Sequence, residues 1–251
     1  MIRTSTIKAL IASLLLIAPA ANAVILDFED FTGTNFEHGT VGNTQYDSAE
    51  FGFATISANN TGGGPNLAVT FDSGLTGTRD SDLEAGLSGF THVLDGDPGN
   101  LGSIKPGNIL IIQENSTGCI DGKCDLPDDE GSQNAGSLTI KFKQAVDLLS
   151  LDFFDIETNE NNGNAGSEIY FLDEFDVRLA GNVYTPNTNG DNKWDRLFFA
   201  GITGVYGIEV NLIGSGAIDN LVYSVVPVPA AFWLFGTALL GFIGISRRKS
   251  V

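Results

Sequence analysis

The chain has 251 residues, of which 31 are acidic, 13 are basic and two are histidines, and its net charge at pH 7 is −18. Five of the basic residues lie in the two terminal segments, so residues 24–225 hold eight basic and all 31 acidic side chains, a net charge of −23. Such a surface repels nucleic acid and anionic lipid, which excludes both as partners of this region. It suits divalent cations or a hydrated polyanionic matrix held by cations.

Residues 1–23 have the three parts of a secretory signal peptide. Arg3 and Lys8 form a positive start, residues 9–18 are apolar, and Ala21-Asn22-Ala23 is a small-x-small cleavage site. The apolar stretch is shorter than the ~17 residues that a membrane helix needs. We therefore expect cleavage before Val24 and export of the remainder.

Residues 24–225 are predicted to form one all-β domain, because short apolar or alternating runs recur between clusters of Gly, Asn, Asp and Pro. Leu138, Ile140 and Phe142 alternate with polar residues, as in a strand with one buried face. Adjacent Phe153 and Phe154 indicate a strand covered on both faces. The number and spacing of the runs favour an antiparallel β-sandwich of the jelly-roll type. The predicted strands are Val24–Glu29, Phe51–Ser57, Leu67–Phe71, Asn108–Gln113, Ser137–Phe142, Asp147–Asp155, Glu168–Leu172, Phe175–Leu179, Leu197–Ala200, Val205–Leu212 and Ala217–Tyr223.

Acidic residues near the first and last strands predict a structural calcium site. Asp27, Glu29 and Asp30 are placed on the opening strand, while Asp219 and Asn220 lie near the last. The first and last strands of a sandwich are often neighbours, so these oxygen ligands are expected to converge. Calcium prefers several carboxylate, amide and carbonyl oxygens. The alternative is that these acids are simply solvated.

Two further segments are candidates for calcium. The first is "DGDPGN" at residues 95–100, and the second is "DIETNENNGN", in which Asp155 and Glu157 leave a strand. Neither fits the twelve-residue calcium loop, because Gly falls at the wrong step. These and the other long irregular segments are where a compact domain places functional loops.

The only cysteines are Cys119 and Cys124, five residues apart. In an oxidising compartment such a pair predicts a small local disulfide. A zinc site is the alternative, but further Cys or His ligands are missing from the neighbouring sequence.

Signs of catalysis are few in the sequence. His38 and His92 lie outside any catalytic signature and are predicted to be loop residues, and no Gly-x-Ser-x-Gly elbow is present. Carboxylate pairs of the kind that glycoside hydrolases use are expected by chance among so many acids. We therefore predict a protein without enzymatic activity.

Carbohydrate binding would need exposed aromatic rings beside polar groups. Trp194 lies at the entry to a strand, where a core position is favoured over a binding platform. Tyr46, Tyr184 and Tyr206 are the other candidates.

The C-terminal segment is predicted to be a membrane helix. Residues 230–245 carry no charge, and residues 226–246 meet the length that a bilayer requires. Arg247, Arg248 and Lys249 follow, and positive flanks remain cytoplasmic, so the domain lies on the outer side.

The closing sequence "VPVPAAFWLFGTALLGFIGISRRKS" resembles the C-terminal signal of PEP-CTERM proteins of Gram-negative bacteria. That signal consists of a Pro-Glu-Pro-like motif, an apolar helix and a short basic end. Here the motif is Pro227-Val228-Pro229, with Val228 where the family usually has Glu. The resemblance implies recognition by an exosortase-type sorting enzyme. Residues 226–251 would then be a sorting signal that holds the chain in the inner membrane until processing releases it to the cell surface or extracellular matrix.

The body also resembles a domain found upstream of such signals, which is similar to carbohydrate-binding jelly rolls. The matching segments are "YDSAEFGFATISANNTGGGPNLAVTFDS", "GNILIIQE", "LLSLDFFDIE" and "GSGAIDNLVYS". The resemblance supports the jelly-roll fold and adds little about chemistry.

Three functions are compatible with these features. The first is a non-enzymatic, exported protein of the cell surface or matrix, with the acidic sandwich as a structural or adhesive unit. The second is a carbohydrate-binding module that holds matrix polysaccharide. The third is a secreted glycoside hydrolase.

Overall fold

The computed structural model describes residues 22–31, 34–35, 38–40, 54–156 except 95 and 133, and 166–226 except 182 and 189. Their regular structure consists of strands without helices, and Ala23–Val225 is one compact unit. A membrane-spanning helix is not found among them. The predicted signal peptide up to residue 21 and the predicted sorting signal from Pro227 onward lie outside the described residues.

The fold is all-β, and its strand pairs are antiparallel except for one short parallel pair. The strands are β1 (Ala23–Leu26), β2 (Asp30–Phe31), β3 (Thr34–Asn35), β4 (Ala54–Asn60), β5 (Ala68–Asp72), β6 (Thr91–His92), β7 (Asn108–Ile112), β8 (Cys119–Ile120), β9 (Lys123–Cys124), β10 (Gly136–Phe154), β11 (Glu168–Leu172), β12 (Lys193–Phe198), β13 (Val205–Leu212) and β14 (Ala217–Val225).

Strand β10 belongs to two layers. Its first half pairs with β13 on one side and β4 on the other, giving the order β11-β13-β10-β4, which we call the four-stranded layer. Its second half pairs with β12 and β14. Strand β14 also pairs with β1 and β7, and β7 pairs with β5; we call these strands together the central layer. The register of β10 against β13 shifts between Lys141 and Val146, and bulges of this kind bend a strand.

Alternation along β10 gives the four-stranded layer one apolar face. Leu138 and Ile140 are fully buried, and their cross-strand partners on the other three strands are also buried. The two buried rows are Ala58, Leu138, Val210 and Ile169, and Ile56, Ile140, Ile208 and Phe171. This face joins side chains of the central layer, such as Leu110 and Phe153, in one hydrophobic core. The arrangement is consistent with the predicted β-sandwich.

The central layer is covered on both faces. Phe153 lies in the core against the four-stranded layer, whereas Phe154 lies in a second core with Val69, Phe71 and Ile109. All five residues of β7 are buried for the same reason. The prediction that Phe153 and Phe154 mark a strand covered on both faces is confirmed.

The long segment between β5 and β7 provides that second cover. Leu83, Ala85 and Phe90 from this segment are buried in the second core, and the Phe90 and Phe154 rings meet edge to face, 4.9 Å apart. The Phe90 N–H donates to the Ile104 carbonyl at 2.8 Å, so the segment is also tied to itself.

The predicted disulfide between Cys119 and Cys124 is confirmed, and it closes the β8–β9 hairpin. Cys124 is buried in the second core, and its N–H donates to the Gly39 carbonyl at 2.6 Å. The bridge therefore anchors this hairpin to the body of the domain.

Several strand predictions need correction. The strand predicted at Val24–Glu29 ends at Leu26, so Asp27 and Glu29 follow it and do not belong to it. Phe175–Leu179 is not a strand, because Asp173 Oδ1 accepts the Phe175 and Val177 N–H groups and bends the chain into a turn whose apolar side chains are exposed. The predicted strands Ser137–Phe142 and Asp147–Asp155 are two parts of β10. The strand predicted at Leu197–Ala200 begins earlier, at Lys193, because Trp194 pairs with Phe154.

Because the central layer is covered on both faces, Phe154 should be important for stability. Replacing it with alanine should lower the free energy of unfolding by about 3–5 kcal/mol, since a fully buried aromatic ring leaves a cavity. Phe198→Ala on neighbouring β12 is the matched control, because that ring is 63% exposed and surface changes stay within about 0.5 kcal/mol. Denaturant unfolding of the purified chain measures both, and similar losses for the two variants would contradict a second core.

Candidate functional site

The outward face of the four-stranded layer carries two rows of mainly polar side chains. The alternation that buries Leu138 and Ile140 turns Ser137 and Thr139 outward. Register then sets polar groups side by side across four strands. The two outward rows are Asn59, Ser137, Asn211 and Glu168, and Ser57, Thr139, Glu209 and Tyr170.

A groove of about 270 Å³ lies on this face. Amides, two hydroxyls, a guanidinium and a carboxylate line it, so it offers both hydrogen-bond donors and acceptors. Its lining comprises Asn59, Thr61, Asn134, Gly136, Ser137, Arg178, Glu209, Asn211, Leu212 and Ile213.

Arg178 and Glu209 form the charged centre of the groove. Arg178 Nη2 donates to Glu209 Oε1 at 2.6 Å, and Arg178 Nε donates to Oε2 at 3.2 Å. In the amide orientation that satisfies both neighbours, Asn211 donates to Glu209 Oε1 at 3.1 Å and accepts from Arg178 Nη2 at 3.2 Å. The hydrogen bond to Glu209 is the main cause that raises the pKa of Arg178. The pair is bidentate, the geometry in which arginine binds carboxylates most strongly.

Tyr170 supports the guanidinium from below. The guanidinium carbon of Arg178 lies 3.8 Å from the centre of the Tyr170 ring, a cation–π contact. The Tyr170 hydroxyl donates to Glu168, and this hydrogen bond raises the pKa of Tyr170. Arg178 is therefore held through its edge by Glu209 and over one face by an aromatic ring.

Backbone geometry fixes the walls of the groove. Asn134 has a left-handed φ of 60°, and the nearby Gly136 has a φ of 137°. A side chain at Gly136 would place its Cβ 2.0 Å from the Asn59 carbonyl oxygen, so only glycine fits there. Outside the groove lining, Asp176 pairs with Lys141 at 2.5 Å and ties the turn that carries Arg178 to β10.

The predicted calcium ligands Asp27, Glu29 and Asp219 lie in one region. Strands β1 and β14 pair from Ala23 to Leu26, as expected for the first and last strands. Asp219 is fully buried, and its Oδ1 has no hydrogen-bond partner among the described residues. Burial is the largest cause that raises the pKa of Asp219 well above its usual range, and the charges of Asp27 and Glu29 raise it further.

The neighbouring Asp152 is neutralised by an arginine. Arg196 donates through Nε to Asp152 Oδ1 at 2.5 Å and through Nη2 to Oδ2 at 2.7 Å. Asn220 adds a hydrogen bond to Oδ2 at 3.1 Å and donates to Asp219 Oδ2 at 2.8 Å. Burial still raises the pKa of Asp152, although Arg196 opposes that rise.

Calcium at these carboxylates stays a prediction. In the described parts of the chain, no group of three or more His, Cys, Asp or Glu side chains is placed to hold a metal ion. A calcium ion beside Asp219 would therefore need backbone carbonyls, amides or water among its ligands, all of which calcium accepts. The unpartnered oxygen of Asp219 is the feature that fits a cation.

The other predicted calcium positions are distributed differently. Asp155 is buried at the end of β10, where its Oδ2 accepts from the Ser215 hydroxyl at 3.4 Å, while Glu157 lies outside the described residues. Within residues 95–100, Asp95 also lies outside them, and Asn100 Oδ1 accepts the Gly102 N–H at 2.7 Å.

A second carboxylate cluster connects two loops, and we define it as Asp80, Glu114, Asp128 and Asp129. The Asp129 N–H lies 3.4 Å from Asp80 Oδ2, and the Gly216 N–H donates to Asp129 Oδ2 at 2.6 Å. Burial first, and then the charge of Asp80, raises the pKa of Asp129 well above its usual range. Burial first, and then the hydrogen bond with Glu114, raises the pKa of Asp128 to about 6.

Histidine placement corrects one prediction. His92 is not a loop residue, because it lies in β6, is 2% exposed and packs against Trp194 with ring centres 5.1 Å apart. Its Nδ1 accepts the Leu94 N–H at 3.2 Å, so its Nε2 carries the proton and donates to Asp195. His38 lies in a turn and accepts the Asp72 N–H at 2.9 Å. Both rings thus have structural hydrogen bonds.

The aromatic candidates for sugar stacking that the structure describes, Trp194, Tyr184 and Tyr206, do not form an exposed platform. Trp194 is 2% exposed and its indole N–H donates to the Gly102 carbonyl at 2.9 Å, so the favoured core interpretation holds. Tyr184 packs edge to face against Phe171 and Phe199. Tyr206 is half-buried, and Tyr46 lies outside the described residues.

The groove residues were missed in the sequence because they are ordinary polar residues. The sequence pattern that could have indicated them is in β13, where the outward-facing Glu209 and Asn211 alternate with the apolar Ile208 and Val210. Nothing in the sequence places Arg178 opposite Glu209, 31 residues away, because the turn that carries it was predicted as a strand.

No protein-family model matches the chain, and no curated protein is similar to it. Among solved structures, it is similar to a fucose-binding module of Streptococcus pneumoniae, with a TM-score of 0.26 and 17% identity over 39% of this chain and 67% of that chain. It is similar to the lectin-binding domain of lectinolysin complexed with Lewis b, with a TM-score of 0.25 and 13% identity over 40% and 70% of the two chains. A DUF4465 family protein from Bacteroides ovatus gives a TM-score of 0.36 and 11% identity over 82% and 100%.

The carboxylate cluster predicts unusual pH dependence. The pKa of Asp128 in the folded protein is about 6, above the ordinary value of 3.8. Protonated Asp128 therefore contributes to stability, and this contribution is fully present below about pH 4 and is lost as the pH rises through about 6. A neutral asparagine side chain mimics the protonated acid, so Asp128→Asn should flatten the decline in melting temperature between about pH 4.5 and 7. Exposed Glu174→Gln removes one charge elsewhere and should keep the decline. Equal declines in all three proteins would show that the cluster is not its source.

The Asp219 region predicts stabilisation by calcium. Millimolar calcium should raise the melting temperature of the full chain relative to chelator, because an ion that binds only the folded state stabilises it by mass action. Asp219→Asn should remove that increase, while Asp191→Asn on an exposed turn outside every calcium candidate should retain it. Identical melts of the wild-type chain in calcium and in chelator would rule the ion out.

Proposed function

We propose that this chain is an exported, non-enzymatic protein whose jelly-roll domain binds polysaccharide of the cell surface or extracellular matrix. The groove on the four-stranded layer is the observation that carries the proposal. Its floor consists of side chains that share one sheet face, Gly136 fixes the backbone on one side, and the Lys141–Asp176 pair holds the turn that carries Arg178. A rigid scaffold suits binding because little ordering is needed when a ligand arrives.

The chemistry of the groove suits a sugar. Each hydroxyl of a sugar donates one hydrogen bond and accepts others, and the groove offers amides and hydroxyls that do both. Asn59 and Asn211 stand in one row with Ser137 between them, so neighbouring hydroxyls would meet neighbouring partners. Small-molecule sites use a few convergent polar groups of this kind to fix orientation.

Two asparagine variants test the groove directly. Asn59→Ala and Asn211→Ala should each weaken polysaccharide binding by about five- to thirty-fold, since each loses one or two hydrogen bonds of ~1 kcal/mol. Asn100→Ala is the matched control, because Asn100 is an exposed asparagine outside the groove. A glycan array followed by calorimetry with the purified full chain measures the affinities. Binding that is equally strong in all three variants would place the site elsewhere.

We propose further that residues 226–251 are a sorting signal processed by an exosortase-type enzyme. The support is in the sequence: the Pro227-Val228-Pro229 motif, the apolar run and the Arg247-Arg248-Lys249 end. The predicted signal peptide would direct the chain through the inner membrane, with the domain in the periplasm before processing. This route would deliver the groove to the matrix that it binds.

The sorting proposal separates a signal from a passive anchor. Replacing Pro227 and Pro229 together should leave membrane insertion intact but block processing, so the full-length chain accumulates in the inner membrane. Neutral replacements of Arg247, Arg248 and Lys249 should disturb topology instead, since positive flanks remain cytoplasmic. Fractionation and intact mass in hosts with and without an exosortase distinguish these outcomes. If the double proline variant matures normally, or if loss of the exosortase has no effect, then residues 226–251 act only as a membrane anchor.

A further inference from the structure

We infer that Glu209 makes the groove select neutral glycans over acidic ones, by occupying the edge of Arg178 that an anionic sugar would need. This inference rests on the proposed glycan-binding function and specifies its ligand class. Glu209 is therefore assigned as a specificity-determining residue, with Arg178 as the group that it controls.

The geometry of the pair carries the inference. A carboxylate or sulfate ester binds arginine best through two parallel N–H groups on one edge of the guanidinium. Glu209 already holds Nη2 at 2.6 Å and Nε at 3.2 Å, which are two such donors on one edge. The position of Glu209 is fixed as well, because Asn211 bridges the two groups. An anionic ligand could use this edge only by displacing a carboxylate that is built into the sheet, and the other edge shares Nη2, which also donates to Asn211.

The charges around the groove disfavour anions independently. Arg178 is neutralised by Glu209, and Lys141 is neutralised by Asp176 at 2.5 Å. Glu168, which accepts from the Tyr170 hydroxyl, adds a further negative charge at the margin. The domain as a whole carries −23, so long-range attraction also favours cations over polyanions.

A neutral sugar meets no such barrier. Its hydroxyls can donate to Glu209 and accept from Asn211 or Ser137 without breaking the ion pair. Glu209 is 18% exposed and Arg178 is 45% exposed, so both can contact a ligand while they remain paired. Leaving the pair intact avoids the cost of an unpaired, partly buried charge.

Glu209→Gln tests the inference, because glutamine keeps the shape of the side chain but releases the charge of Arg178. Binding of the full-length chain, in a detergent without sugar, would be measured to dextran as the neutral polymer and to polygalacturonate as the acidic polymer. The wild-type chain should prefer dextran by at least ten-fold. Glu209→Gln should gain at least ten-fold for polygalacturonate, and the gain should shrink with added salt.

Glu168→Gln is the matched control, since it removes the same charge from the same face without freeing the edge of Arg178. It should leave the preference for dextran in place. The double variant Arg178→Ala with Glu209→Gln should lose the gained affinity for polygalacturonate, which separates a freed arginine from a general change of charge. Melting curves of all variants verify that they are folded.

The outcomes separate the two proposals. A wild-type chain that binds polygalacturonate as tightly as dextran, or equal gains in Glu209→Gln and Glu168→Gln, would overturn the role of Glu209 while leaving a glycan-binding groove. A wild-type chain that binds neither these polymers nor any glycan of an array would overturn the groove as a sugar site and this inference with it.

Discussion

The rest of the structure depends on one constraint: the single strand β10 pairs with strands of both layers. Its first half places polar side chains on the outward face of the four-stranded layer, and its second half runs through the middle of the central layer. The bend near Lys141 and Val146 allows both, because the change of register there separates the two sets of partners. The groove therefore stands on a face whose reverse side is the main core.

Electrostatics divides the acidic residues into classes with different physical roles. Asp152 and Glu209 each have an arginine partner, so their charges are compensated where they are buried or half-buried. Asp219 is fully buried and Asp129 is half-buried, and burial favours the neutral form of both. Many of the remaining acids lie in exposed turns, where their charge supports solubility. A net charge alone does not distinguish these classes.

The sequence predicted the fold better than the site. Strands Glu168–Leu172 and Val205–Leu212 were predicted with their observed bounds, since both have strong β-branched or aromatic patterns between turn residues. The Phe153-Phe154 pair predicted two covered faces because adjacent large apolar residues must point to opposite sides of a strand. The disulfide followed from spacing and compartment.

The site needed contacts that no local pattern encodes. Arg178 reaches Glu209 only because a turn led by Asp173 replaces the predicted strand, and the apolar Phe175 and Val177 in that turn suggested burial that does not occur. Trp194 was a candidate for sugar binding because it is aromatic, but the aromatic residue that contacts Arg178 in the groove is Tyr170. Ordinary side chains such as Asn59 and Asn211 become a site through register alone.

The central claim, that the outward face of the four-stranded layer is a glycan site, is tested most directly by chemical-shift mapping on isotopically labelled protein. The polymer chosen for the titration would be the one that the glycan array identifies as the best ligand. The account predicts that perturbed amides cluster at Asn59, Ser137, Glu209 and Asn211, with little change along β5 and β7. Saturable shifts centred on the 73–107 segment or the β8–β9 hairpin, with the four-stranded layer unchanged, would contradict it.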